Sequence, residues 1–360
     1  MPILYISGVL SLFMKLSHNK MDCISQLPDC ILSHILTMLP MKDLLKTSVL
    51  SRRWCRLWAL RRDLYFDIHN VLGSEMELLE TGDLIELPRD STVVCFADFD
   101  LSRDEFVNRV DQFVKNFEGT KIDSFLVNFY LDCEHSNNID QWISFVIARG
   151  VERIDLLFLG RPYAHLSPSP KRYKFSFDLF SKTNASTLKH LHLQNCLVCH
   201  ITNCDFILFK NLRSLTLGST KVDELFITSL VSNLELLDEL HLIYCEFKSS
   251  MPKIVSSSLC YLEVKNCHVV SNNIKMGVNL CSLDCLKLTS LEYFGPCLET
   301  FYINTPMLKR IRIPVISDEY VNAFTLLLTL TELYILQLDI YSMVSRNVLE
   351  QRVLFIFLSF

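Results

Sequence analysis

Cys196-Leu197-Val198-Cys199-His200 is the run of this chain with the most obvious chemistry. Two cysteines two residues apart and then a histidine match the attachment pattern of a c-type haem, and with Cys204 they also suggest zinc ligands. Other groups invite binding rather than bond-making. His192, His241 and Glu263 are polar candidates in the later part of the chain, and Lys287, Arg310 and Arg312 form a basic group further along. Lysine and arginine together are suited to receive carboxylate or phosphate. No G-x-S-x-G, H-E-x-x-H, phosphate-loop or dinucleotide motif occurs, and no cysteine has a His/Asp set that the sequence places beside it. What these residues do is decided by the elements that carry them.

From Leu188 onward the pattern L-x-x-L-x-L recurs, starting at Leu188, Leu212, Leu237, Leu259, Leu283, Leu308 and Leu333. Its period of roughly 24 residues is that of leucine-rich repeats. A further match at Leu298 lies too close to Leu308 for a parallel crossover. Leu298 to Ile303 is therefore expected as an extended segment on the convex side of its repeat. Each L-x-L strand buries its leucines and projects the intervening residues outward. The expected central column is His192, Thr216, His241, Glu263, Lys287, Arg312 and Gln337; the one beside it is His190, Ser214, Glu239, Tyr261, Cys285, Arg310 and Ile335. Such columns line the concave sheet, the usual ligand surface of solenoids. Candidate substrate-binding residues are thus His192, His241, Glu263, Lys287, Arg310 and Arg312, with the basic end suited to an acidic segment or phosphate. The plainer reading of the same residues is a solvated strand face.

The register also bears on chemistry. His192 and His241 fall two strands apart, about 10 Å, too far to share a metal. Cys196 takes the ninth position of its repeat, as Cys245 and Cys267 do in theirs. That position holds Asn or Cys, buried where the strand turns away. Neither haem, metal nor any other cofactor is expected, and the chain reads as non-catalytic.

Composition sets outer bounds. A chain of 360 residues suits two domains, or one small domain and a solenoid. The net charge of −5 gives no basic footprint for nucleic acid. The 14 cysteines are scattered without a secretory signal, as expected of reduced thiols in the cytoplasm or nucleus. Residues 1–14 are apolar, but Lys15 follows them and no basic residue precedes. That is the wrong charge order for a signal peptide, so 1–21 reads as a non-conforming extension with Met21 as the expected effective start. No uncharged apolar run is long enough to cross a membrane; the longest candidate, Val321 to Leu338, contains Glu332.

Residues 25–60 predict three short helices. Pro28 suits a first helical turn carrying Leu32, Ile35, Leu36 and Leu39; Pro40 ends it; Asp43 and Ser51 start the next two. So small a module needs something to dock on. The run LPDCILSHILTMLPMKDLLKTSVLSRRWCRLW resembles an F-box, in the form found in plant F-box/leucine-rich-repeat proteins. The resemblance implies that this segment binds the Skp adaptor, and through it cullin and RING subunits. By that resemblance Leu27, Pro28, Leu32, Ile35, Leu36, Leu44, Val49 and Trp54 face the adaptor or set the helices that do. The function implied is substrate receptor of an SCF-type ubiquitin ligase, acting on an unknown protein. The alternative is a repeat scaffold without ligase recruitment, a truncated family member.

The expected fold class is α/β, a three-helix F-box followed by a leucine-rich-repeat solenoid with a parallel concave sheet. The expected organisation is 1–21 extension, 22–62 F-box, 63–120 linker and amphipathic helix, 121–340 solenoid, and 341–360 apolar tail. Ser102 and Glu105 have capping-box spacing, before a helical stripe of Phe106, Val110, Phe113 and Phe117. Strand, helix and strand follow over residues 121–159, in the order of a parallel crossover.

Overall fold

The computed structural model describes residues 26–37, 39, 61–72, 92–158, 172–181, 184–198, 206–248, 250, 252–271, 274–277, 282–294, 302–316, 335–344 and 347–356. The chain divides into two compact units, Met1–Arg61 and Arg62–Phe360.

In the first unit, helix α1 spans Asp29–Thr37. The Pro28 carbonyl accepts the amides of Ile31 and Leu32, at 3.0 and 3.1 Å. Proline has no N–H to leave unsatisfied and its φ already suits a helix, so the turn forms there. Leu32, Leu36 and Leu39 are buried, the helical spacing that the sequence gives one apolar face. The second and third helices expected after Asp43 and Ser51 lie outside the described residues.

The second unit is built on one long sheet. Its strands, numbered in chain order with those of two smaller sheets, are β1 (Asp63–Asp67), β2 (Ser124–Phe129), β3 (Arg153–Phe158), β5 (His190–Gln194), β7 (Ser214–Gly218), β9 (Glu239–Ile243), β12 (Tyr261–Lys265), β16 (Ser290–Phe294), β18 (Arg310–Ile316), β19 (Ile335–Val344) and β20 (Asn347–Ile356), paired in that order. Every pairing is parallel except the last, where β19 and β20 run antiparallel. The sheet therefore begins at Asp63, inside the segment the sequence suggested was a linker.

Helix α2 (Ile68–Val71) follows β1, and α3 (Thr92–Asn116) leads to β2. The start of α3 corrects the capping-box reading: Ser102 and Glu105 sit within the helix, not at its end. No Gly or Pro interrupts 92–101, so nothing stops the helix there. Glu105 instead pairs one turn ahead with Arg109, at 2.7 Å. The expected stripe is buried: Phe106 stacks on Phe129 with centroids 4.0 Å apart, and Phe113 meets Phe66 edge-on at 5.4 Å. Helix α4 (Ser136–Ile147) makes the crossover between β2 and β3 and buries Ile139, Trp142, Ile143, Val146 and Ile147. It is tied to α3 through Asp111, which accepts from Trp142 Nε1 at 2.6 Å and Asn138 Nδ2 at 2.8 Å. Gly150, at φ +71°, makes the left-handed turn after that helix.

The coil turns the same way after β5, β7, β9 and β12. Asn195, Ser219, Tyr244 and Asn266 all have positive φ, and each donates its amide to the next coil at 2.7–2.8 Å. The chain then enters a second sheet of β4 (Lys174–Phe175), β6 (Leu197–Val198), β8 (Lys221–Val222), β10 (Glu246–Phe247), β13 (His268–Ser271) and β14 (Ile274–Gly277). The back of the coil is α5 (Glu224–Asn233) in one repeat. It packs against β11 (Ile254–Ser256), which pairs with β15 (Ser282–Cys285) and that with β17 (Tyr302–Asn304) in a third sheet. Phe175, Phe177, Phe180, Phe206, Phe209 and Phe226 fill the interior between these layers, mostly in edge-to-face contacts.

One repeat is out of the expected phase. The match at Leu283 is β15, in the third sheet, not a strand of the long one. The strand that continues the long sheet is β16, in which Leu291 and Tyr293 hold the alternating buried positions and Phe294 is buried after them. Leu286, expected in the core, is 52% exposed. Two overlapping period-two patterns compete here, and a tyrosine in the last position of the true one conceals it. Of the segment expected from Leu298 to Ile303, residues 298–301 lie outside the described residues; Tyr302–Asn304 is β17, in the third sheet and not in the long one.

Candidate functional site: the open face of the long sheet

In-register parallel strands place corresponding side chains about 4.8 Å apart on one face. The observed central column runs Asp155, His192, Thr216, His241, Glu263, Glu292 and Arg312, with Gln337 at the next register position. The neighbouring column runs Arg153, His190, Ser214, Glu239, Tyr261, Ser290 and Arg310, with Ile335 at the next register position. His192, His241, Glu263, Arg310 and Arg312 therefore stand where the sequence puts them. Lys287 and Cys285 do not: Cys285 is buried in β15 and Lys287 lies in the exposed turn between β15 and β16. Glu292 and Ser290 occupy the places expected for them.

The polar groups of the central column pair with one another or with a neighbour. His241 Nδ1 lies 2.9 Å from Glu263 Oε2, and Arg312 Nη1 donates to Glu292 Oε2 at 3.3 Å. His192 Nδ1 is 3.6 Å from Asp155 Oδ1, and Arg153 Nε donates to Asp155 Oδ2 at 2.6 Å. Aromatic rings support the same groups: His241 lies against Tyr261 with centroids 5.0 Å apart, and Arg312 sits over Phe294 at 5.0 Å. Burial disfavours charge on Asp155, but His192 and Arg153 outweigh it and hold its carboxyl below the usual range. The hydrogen bond with His241 does the same for Glu263 against a smaller opposing effect of burial. Asp155 and Glu292 are the members that sequence reasoning missed. Asp155 belongs to a strand before the first clean repeat, and Glu292 to the repeat whose phase was hidden.

Thr216 lies between His192 and His241 in register, so the two imidazoles face separate partners. Among the described residues no group of three or more His, Cys, Asp or Glu is placed to hold a metal ion. Cys199, His200 and Cys204 lie outside the described residues. Cys196 itself is fully buried, and burial pushes its thiol far up. A zinc thiolate needs the opposite environment, and haem attachment needs an accessible thiol. The positions equivalent to Cys196 show what the group does there: Cys245 Sγ donates to the Leu217 carbonyl at 3.1 Å, Cys267 Sγ to Leu242 at 3.2 Å, and Thr220 Oγ1 to Gly218 at 2.8 Å. A small buried donor there bonds a backbone carbonyl near the end of a strand.

In the first unit, the residues expected to serve an adaptor separate into two sets. Leu32 and Leu36 are buried. Pro28 is exposed and Ile31 is 46% exposed, while Leu27 and Ile35 are half-buried. Pro28, Ile31 and Ile35 have the spacing of one helix face, an apolar strip to which sequence reasoning did not assign Ile31. Leu44, Val49 and Trp54 lie outside the described residues.

The second unit is thus a parallel repeat fold with a face of paired polar groups, and the first exposes an apolar strip on α1. Known proteins resemble the chain in the same two parts. Residues 24–64 match the F-box domain, and residues 113–288 match the family described as At1g61320/AtMIF1, LRR domain. Similar proteins from Arabidopsis thaliana include F-box/LRR-repeat protein 13, 30% identical over 39% of this chain and 25% of that protein. F-box protein At5g03100 is 28% identical over 70% of this chain and 66% of its own length. F-box/LRR-repeat protein At3g58900 is 34% identical over 38% of this chain and 36% of its own. The chain thus matches from about a quarter to just under two thirds of these relatives' lengths. It carries an F-box domain followed by a leucine-rich-repeat domain, the arrangement of the plant F-box/LRR-repeat proteins, as the resemblance in its sequence implied.

Proposed function

We propose that this chain is the substrate-receptor subunit of an SCF-type cullin–RING ubiquitin ligase. The observation that supports this is the union in one chain of an F-box domain at 24–64 and a leucine-rich-repeat domain at 113–288. The F-box binds the Skp adaptor, and through it the cullin and RING subunits. On α1 the strip Pro28, Ile31 and Ile35, with Leu27, faces the adaptor. Leu32 and Leu36 set the helix from inside, and Leu44, Val49 and Trp54 complete the module. The long sheet and its rim bind the protein to be ubiquitinated, through His192, His241, Glu263, Arg310 and Arg312, with Lys287 at the rim. The chain performs no chemistry of its own. It raises the effective concentration of substrate beside the ubiquitin-carrying enzyme. The cytoplasm and nucleus suit the reading, since the described cysteines are free thiols.

The test is ubiquitin transfer to the chain itself in a reconstituted assembly with adaptor, cullin, RING subunit and conjugating enzyme. The full chain is expected to be modified, and a chain lacking residues 22–62 is not. Equal modification of both, or of neither, would favour a repeat scaffold that recruits no ligase.

A further inference from the structure

One residue of each coil stands just before its long-sheet strand, and backbone hydrogen bonds of 2.7–3.0 Å join these residues into a ladder along one rim of the sheet: Arg62, Asp123, Glu152, Lys189, Arg213, Asp238, Cys260, Thr289 and Lys309. The first six are charged and cancel in neighbouring pairs. Arg62 meets Asp123 at 2.8 Å, Lys189 meets Glu152 at 2.7 Å, and Arg213 meets Asp238 at 3.1 Å. The last three change character. Cys260 and Thr289 are neutral, and Lys309 has no ion-pair partner among the described residues.

Lys309 has company. Residues 290 and 310 are in register, and the amide of Lys309 bonds the Thr289 carbonyl at 2.9 Å. The same offset carried back two residues sets Met307 beside Lys287. Both are turn residues, and the adjoining turn position on Lys287's coil is Leu286. Lys287, Lys309 and Arg310 are exposed cations, none with an ion-pair partner among the described residues. Leu286 is 52% exposed and Met307 47%. The described carboxylates of these two coils are engaged elsewhere, Glu292 with Arg312 and Asp284 with Asn304 Nδ2 at 2.9 Å. Two large apolar side chains among three positive charges without an ion-pair partner among the described residues contrast with the paired charges along the earlier part of the rim. Isolated exposed leucines are ordinary; this cluster has a sign and a place.

We propose that this corner of the rim — Lys287, Lys309 and Arg310 around Leu286 and Met307 — is a docking site for an acidic peptide segment that carries a large apolar side chain. The apolar residue of the segment covers Leu286 and Met307 while its flanking carboxylates meet the three cations. The inference deepens the substrate half of the receptor reading. It moves the basic group from the sheet face, where Arg312 is already paired, to the rim.

The test is fluorescence anisotropy on the purified full chain. The probe is a fluorescein-labelled peptide of Asp and Glu residues around a single Leu. Two control peptides replace the Leu by Ala, or every Asp and Glu by Asn and Gln. Both controls are expected to bind more weakly. The triple variant K287E/K309E/R310E is expected to bind the probe at least about tenfold more weakly, three exposed pairs being lost. Added salt should weaken binding to the natural chain and not to that variant. Leu286→Ser with Met307→Ser should weaken binding while keeping the salt dependence. Lys248→Glu, exposed after β10, should bind like the natural chain. Absence of binding, equal binding by the triple variant, or equal binding of the Leu-free peptide would overturn the proposal. No adaptor is used, so failure here leaves the F-box reading standing, and failure of adaptor binding leaves this result intact.

Discussion

Leu286 and Leu291 lie five positions apart, and the register of the fold assigns them opposite fates. In the overlapping L-x-x-L-x-L patterns of residues 283–293, Leu286 is a core leucine in one phase and a surface residue in the other. The structure leaves Leu286 52% exposed in the turn before β16, whereas Leu291 is 1% exposed within β16. Truncating Leu291 to Ala removes buried atoms and leaves a cavity between coils, which costs about 2–5 kcal/mol. Truncating Leu286 costs no more than about 0.5 kcal/mol, as for a surface position. Coils contact only their neighbours, so the damage from Leu291→Ala should concentrate in adjacent coils. Urea denaturation followed by circular dichroism measures the loss, and limited proteolysis locates it. Leu291→Ala is expected to lower the midpoint clearly and open sites around β12 and β18, with Leu286→Ala indistinguishable from the natural chain. A larger loss for Leu286→Ala than for Leu291→Ala would refute the register, and with it the placement of Lys287 at the rim and Glu292 on the face.

Two further outcomes follow from the face and the turns. Glu263 is held below the ordinary carboxylate range, chiefly by His241. A depressed folded pKa adds stability that is complete above the unfolded value, about 4.3, and is lost as pH falls through the folded value. Glu263→Gln should therefore destabilise the chain near neutral pH, and the difference from the natural chain should shrink below about pH 4; a difference that grows on acidification contradicts the assigned pair. The buried Cys196 thiol is a structural donor, so a strong chelator should leave the urea midpoint unchanged, and a chelator-induced drop would restore the metal reading.

How much of this was legible in sequence depended on how many physical signals agreed. At Leu188, Leu212, Leu237 and Leu259, period and leucine identity coincide, and the strands and both outward columns follow directly. From Leu283 two phases satisfy the same pattern. Only long-range pairing chooses between them, because β16 must continue β12 while β15 joins β11. The pairs on the face were legible only in part: the expected column set His241 beside Glu263, but it held neither Asp155 nor Glu292. Asp155 meets His192 only because β3 and β5 are neighbours in register, and nothing local to either strand says so. The Cys196 run shows the reverse. A short motif promised chemistry, and the repeat position, readable from Cys245 and Cys267, already assigned it to the interior. On α1, helical spacing gave the apolar residues; which of them face outward, Ile31 above all, became visible only with burial.

The central claim is that the first unit recruits a ubiquitin ligase, and adaptor binding tests it most directly. The full chain, co-expressed with the Skp adaptor and purified through a tag on the adaptor, is expected to elute as a stoichiometric complex. Deleting residues 22–62 should abolish the complex, and Ile31→Asp, on the exposed strip of α1, should weaken it without altering the circular dichroism of the repeats. A folded full chain that never retains the adaptor, or one that retains it equally well without residues 22–62, would contradict the account.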